Sequence, residues 1–163
     1  MYDVSEHDKY IYLSCPSNKK RAYICSPLYA ESFKDFVDNM EQARMYMTIT
    51  MRNFRIPARA PHAYIPTILC DDIPAERALA LEFGKRLLEL SDVLFVCGNR
   101  LSEGMKGEIL RAAELKMEIM VFNEKLYEKV KKYIKSQMKS DCLITYDSLQ
   151  PELGKRNSSE DFT

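Results

Sequence analysis

Val93, Leu94, Phe95, Val96 and Cys97 form a continuous apolar run of strand length, and this run limits the possible folds more than any other feature of the chain. No polar residue alternates within it, so both faces of the strand are expected to be buried, as in a parallel sheet. Gly98 and Asn99 end the run. Residues 102–108 then lead into apolar residues at helical spacing, Met105, Ile109, Ala112 and Ala113, and a second apolar strand follows from Ile119 to Phe122. Open α/β sheets bind ligands beyond the carboxyl ends of their strands, where the next helices begin. The segment from Ser102 to Glu108 occupies that place.

Its residue types suit an anion. Ser102 is an expected helix N-cap, and Gly104 and Gly107 leave the backbone of the first turn open to a ligand. Free N–H groups at a helix start attract phosphate. Glu108 is expected in or just after the first turn, where the helix dipole favours the ionised carboxylate by roughly 0.3–1 kcal/mol. Two readings follow. Glu108 is either a carboxylate held ready as a nucleophile or a residue that does no more than stabilise its own helix.

The rest of the chain alternates strands and helices. Ala22–Ser26 reads as the first core strand, ended by Pro27. The loop after it, from Ser26 to Ser32, belongs on the same binding edge, which makes Ser26 and Tyr29 candidate ligand contacts beside their plainer reading as a turn serine and a packed tyrosine. Residues 32–54 read as a long helix started by Ser32 and Asp35, with Phe33, Phe36, Val37, Met40, Ala43, Met47 and Met51 as its core stripe. Residues 58–64 are expected to be a second strand, interrupted at Pro61, with His62 and Tyr64 near its carboxyl end. Asp71 and Asp72 precede a helix over 74–90 with Ala78, Leu79, Phe83, Leu87 and Leu90 facing inward. A helix over 124–138 presents Leu126, Val130, Tyr133, Ile134 and Met138, and its lysines read as a solvated face. Short strands at 10–14 and 142–146 and a polar tail from 150 to 163 complete the pattern, so that residues 1–149 form one domain.

Bulk composition narrows the functional classes. Lysine plus arginine and aspartate plus glutamate each number 24, so the chain is neutral and lacks the basic excess of a nucleic-acid backbone binder. Five cysteines without C-x-x-C spacing and only two histidines argue against a disulfide scaffold or a structural zinc site. No apolar stretch is long enough for a membrane span and the N-terminus has no signal-peptide character, so a cytoplasmic location is expected.

The strand Asp92-Val-Leu-Phe-Val followed by Ser-x-Gly-Met-x-x-Glu-Ile-x-x-Ala resembles the nucleoside 2-deoxyribosyltransferase superfamily, which includes the 2'-deoxynucleoside 5'-phosphate N-hydrolases. The resemblance covers roughly residues 21–122. It implies that Glu108 is the catalytic glutamate and that Ser102, where the transferases carry an aspartate, contacts a nucleotide phosphate. It also adds Gly104, Met105, Ser26, Tyr29 and His62 to the substrate-binding set, with Tyr23-Ile-Cys-Ser-Pro as a variant of the first loop that lacks the usual glycine. The implied reaction is cleavage or transfer at the N-glycosidic bond of a nucleoside 5'-monophosphate, without metal or other cofactor, in a homo-oligomer whose subunits complete each other's pockets. One departure is plain. The position eight residues before Asp92, where the active enzymes carry a second acid, is Gly84. The competing reading is a nucleotide-binding sensor without turnover. The expected fold is a three-layer α/β sandwich with a mainly parallel, flavodoxin-like sheet.

Overall fold

A computed structural model describes residues 20–138 and 144–147. It places the apolar run at the centre of a five-stranded sheet. The strands are β1 (Ala22–Cys25), β2 (Ala58–Arg59), β3 (Val93–Val96), β4 (Glu118–Val121) and β5 (Ile144–Tyr146). Every pairing is parallel and the order is β2-β1-β3-β4-β5. This is the flavodoxin-like order, in which the direction of progression reverses between β1 and β3.

Helices cover both faces, which explains why β1 and β3 carry no exposed residue. On one face, α1 (Phe33–Phe54) packs Ala43 and Met51 against Ala22, Ile24, Val93 and Phe95. On the other, α2 (Pro74–Glu89), α3 (Glu103–Glu114) and α4 (Glu124–Gln137) pack Leu88, Met105, Ile109, Leu126, Val130 and Ile134 against Tyr23, Cys25, Leu94 and Val96. Three layers result. Ser32 caps α1 as its sequence suggests, accepting from the Asp35 N–H at 3.0 Å, and Asn123 caps α4. At the amino edge of the sheet Asp92 accepts from the Arg21 N–H at 2.7 Å, which ties the starts of β1 and β3 together away from the ligand edge.

Three expectations need correction. The second strand is only two residues long, because Pro61 begins a 3-10 turn, Pro61–Ala63, followed by another at Ile65–Thr67. Proline cannot donate to a ladder and fixes φ for a turn. The inward face of α2 is Ala80, Gly84, Leu87 and Leu88, whereas Ala78, Leu79, Phe83 and Leu90 are exposed. Apolar residues lie on two sides of this helix, and periodicity alone does not say which side its own sheet covers. Phe33, at the first position of α1, is also exposed. The strand expected at 10–14 and the tail from 150 lie outside the described residues.

The loops after β1 and β3 touch. Gly98 has φ of 97°, and a Cβ there would come within 2.9 Å of Pro27 Cδ. Only glycine allows both the positive φ and the close approach.

Candidate functional site

Alternation along β1 points Tyr23 and Cys25 to the face that α3 covers. A tyrosine buried within a strand needs a partner for its hydroxyl. Tyr23 finds it in Glu108, donating to Oε1 at 2.6 Å. Glu108 is held there because Ser102 starts α3: its Oγ accepts the Met105 N–H at 3.4 Å, and the five residues after Ser102 carry the chain round to Glu108 in the second turn. The helix dipole fades beyond the first turn, so the dipole expected to stabilise the charge contributes little. The side chains of β1 do this instead.

Glu108 is half-buried, and burial is the largest influence on its carboxyl, raising its pKa above the usual carboxylate range. Hydrogen bonds from Tyr23 and Cys25 oppose the rise. Burial pushes both of those groups well up in turn, the nearby carboxylate adding to it, so phenol and thiol stay protonated. Among the described residues no cation pairs with Glu108. The arrangement is a desolvated carboxylate oriented by neutral donors, which suits a nucleophile better than a structural ion pair does.

The other candidates fall into groups. Ser26, buried at the end of β1, meets His62 from the first 3-10 turn, with Oγ and Nε2 2.8 Å apart. Burial lowers the His62 pKa to about 4, so the imidazole is neutral at pH 7. Tyr29 is 73% exposed and lines a cavity of about 490 Å³ with Glu31, Asp35, Asp38, Asn39 and Arg100. This cavity joins the loops after β1 and β3, and Arg100 Nη2 donates to the Tyr29 carbonyl at 2.5 Å. Three carboxylates against one guanidinium suit a ligand rich in hydroxyl or amino groups there. Ser102 and Glu108 do not line it. The Met105 side chain is in the core. Gly104 and Gly107 are exposed, and an added Cβ would meet nothing within 4 Å at either. Among the described residues no cluster of three or more His, Cys, Asp or Glu is arranged to hold a metal ion.

Gly84 lies at the site. A Cβ at this position of α2 would stand 3.6 Å from Tyr23 Oη and 4.0 Å from Pro61 Cγ. The missing acid is therefore missing beside the Tyr23–Glu108 pair, not at a remote point. In the sequence Tyr23 and Cys25 stand only as members of the first core strand. A polar hydroxyl inside an otherwise apolar strand was the available signal for Tyr23. Nothing comparable marked Cys25.

Residues 20–122 match the family model described as Domain of unknown function (DUF7768). The chain belongs to this family. The matched region runs from the start of β1 past the end of β4 and takes in Tyr23, Ser26, His62, Gly84, Ser102 and Glu108. The family domain thus holds the whole constellation around Glu108, whereas α4 and β5 lie beyond the matched residues. No curated protein matches the chain. Among the described residues no helix is long and apolar enough to cross a membrane.

A titration isolates the Ser26–His62 pair. His62 has a folded pKa below the ordinary value of 6.5, so its contribution to stability is complete above pH 6.5 and falls as the pH drops towards 4. Between pH 7 and pH 5 the loss attributable to His62 is expected to reach about 2 kcal/mol, at 1.36 kcal/mol per unit. Glu108 has the opposite sign, because its raised pKa makes the fold take up a proton early. The His62 effect is therefore read as the difference between wild type and His62→Gln in urea unfolding across this range. Parallel pH profiles for the two proteins would show that the imidazole is not held neutral.

Proposed function

We propose that the protein acts on the N-glycosidic bond of a nucleoside 5'-monophosphate, with Glu108 as the nucleophile. The observation that carries this reading is the 2.6 Å hydrogen bond from Tyr23 to Glu108, together with the resemblance to the nucleoside 2-deoxyribosyltransferases. Tyr23 fixes one carboxylate oxygen and the other is offered to the anomeric carbon. Attack forms a glycosyl ester and breaks the carbon–nitrogen bond, and the base departs with the electron pair and takes up a proton. Water, or a second base in a transfer reaction, then opens the ester and restores the carboxylate. Ser102 and the start of α3 hold the 5'-phosphate: Oγ accepts within the cap, which leaves the hydroxyl hydrogen free to donate. The expected setting is a cytoplasmic homo-oligomer. Incubation with a panel of deoxynucleoside and ribonucleoside monophosphates, with chromatographic detection of free base, tests the reading. It stands if wild type releases base and Glu108→Ala does not, and it fails if neither does.

A second reading rests on Gly84. With no side chain beside Tyr23 Oη, that position supplies no acid for the leaving base or the sugar hydroxyl, which favours a sensor that binds a nucleotide without turning it over. Such a protein would show ligand-dependent thermal stabilisation and no release of base.

Both readings place a ligand over the start of α3, and Gly107 tests that placement. Alanine is favoured over glycine in a helix by about 1 kcal/mol, and space beside Gly107 is open. Gly107→Ala is therefore expected to stabilise the free protein by roughly that amount while weakening nucleotide binding. Unfolding and titration calorimetry on the same variant report the two effects. Unchanged affinity would remove the ligand from this turn.

A further inference from the structure

The loops after β1 and β3 contribute to a cavity of about 490 Å³ that neither Ser102 nor Glu108 lines. It lies where the sheet order reverses, between β1 and β3, and in open sheets of this order ligands bind at that point. Gly98 packed on Pro27 holds the two loops together, so the hollow is formed before any ligand arrives. Glu31, Asp35 and Asp38 line it from the start of α1, and Arg100 lines it from the loop after β3. Asp35 has a local duty, since it accepts from Ser32 Oγ at 2.7 Å in the first turn. Glu31 precedes the helix, and Asp38 is in the second turn, where the dipole has faded. Among the described residues no cation pairs with either. Nor does Arg100 pair with a carboxylate. One N–H of its guanidinium donates to the Tyr29 carbonyl at 2.5 Å, and the others are left for a second acceptor. Opposite charges therefore face one cavity without bonding across it.

We propose that this cavity binds a small zwitterion, its ammonium group held by Glu31 and Asp38 and its carboxylate by Arg100. The lining selects this class. A simple amine would meet the guanidinium, and a simple anion would meet three carboxylates; a molecule carrying both charges meets a partner at each end. The guanidinium fork matches a carboxylate in shape as well as charge. The acids do not come together as a group that could hold a metal ion, which leaves an organic cation as their partner. Asn39 Nδ2 donates to the Leu28 carbonyl at 3.0 Å and ties the loop before Glu31 to α1, so the acidic side is fixed in place. A volume within the range of small-molecule pockets leaves room for several methylenes between the two charged groups. The inference rests on this cavity and is independent of the N-glycosidic reading.

Titration calorimetry on the full chain tests it, with glycine, 4-aminobutyrate and 6-aminohexanoate as zwitterions of increasing length and butylamine and butyrate as the separate halves. At least one zwitterion is expected to bind about 10-fold or more tightly than either half. Arg100→Gln is expected to weaken that zwitterion by about 10–100-fold, as loss of a charged hydrogen-bond partner does, without weakening butylamine. Glu31→Gln combined with Asp38→Asn should weaken the zwitterion similarly without weakening butyrate. The two carboxylate substitutions leave the Arg100–Tyr29 bond in place, so a loss of binding there is not a collapse of the loop. All three replaced residues are exposed, and cooperative thermal unfolding is retained. No heat of binding for any zwitterion at millimolar concentration overturns the proposal. Butylamine binding as tightly as the zwitterions also overturns it, because an acidic surface alone would do that, and so does a zwitterion that binds wild type and both variants equally. Glu108→Ala leaves the titration unchanged and base release plays no part in it, so either proposal can fail alone.

Discussion

Glu108→Gln is expected to lower base release by roughly 10³-fold or more, as loss of a nucleophile does, and at the same time to make the fold more stable. The two effects have one cause. The Glu108 carboxyl is desolvated, and burial raises its pKa against the hydrogen bonds from Tyr23 and Cys25. A group whose folded pKa is raised lends its full stability below the unfolded value, and that contribution is lost as pH rises through the folded value. Once the carboxyl is ionised, wild type has therefore lost it. Glutamine keeps an acceptor for the Tyr23 hydroxyl without the charge, and so should unfold at higher denaturant concentration by about 1 kcal/mol. The gain should shrink towards pH 4. A carboxylate that weakens the fold and is nevertheless present fits a functional group better than a structural one. If Glu108→Gln is destabilised at pH 7, the carboxylate is a structural element and the catalytic reading loses its physical basis.

Phe95→Ala is expected to give the largest loss of stability of any single truncation proposed here, about 3–5 kcal/mol. Phe95 is fully buried in β3, with the Phe54 ring 5.1 Å away edge-on and the Phe122 ring stacked at 5.3 Å. Those three rings join α1, β3 and the end of β4 on one face of the sheet. Since a domain is commonly stable by only 5–15 kcal/mol, the variant should unfold at a sharply lower urea midpoint, with Glu108 and its partners untouched on the opposite face. A loss below about 2 kcal/mol would mean that the α1 face packs more loosely than these distances require.

The same run of residues shows how much the sequence revealed. Val93 to Cys97 could be recognised as a doubly covered strand because buried parallel strands leave no polar alternation, and the sheet order followed from strands alternating with helices. Ser102 and Ser32 were legible as caps, since a capping hydroxyl is a local matter. The α2 face was not: Leu79 and Phe83 satisfy helical periodicity as well as Ala80 and Leu88 do, and only the direction of the sheet decides between them. Nor was the pairing of Tyr23 with Glu108, or of Ser26 with His62. Residues 85 and 36 positions apart meet only because the crossover connections bring them together. Gly84 stands in the sequence as an absent acid, and its nearness to Tyr23 comes from the packing of α2 against the 3-10 turn.

The contact of Gly98 with Pro27 has a consequence for entry to the site. Two loops locked at van der Waals distance where β1 and β3 diverge leave little slack on that side. The wall opposite, α2, buries Leu88 completely, and its Glu89 pairs with Arg111 of α3 at 2.7 Å. A ligand approaching Glu108 would therefore meet a fixed wall on the loop side, and any side chain in place of Gly98 would have to push Pro27 aside.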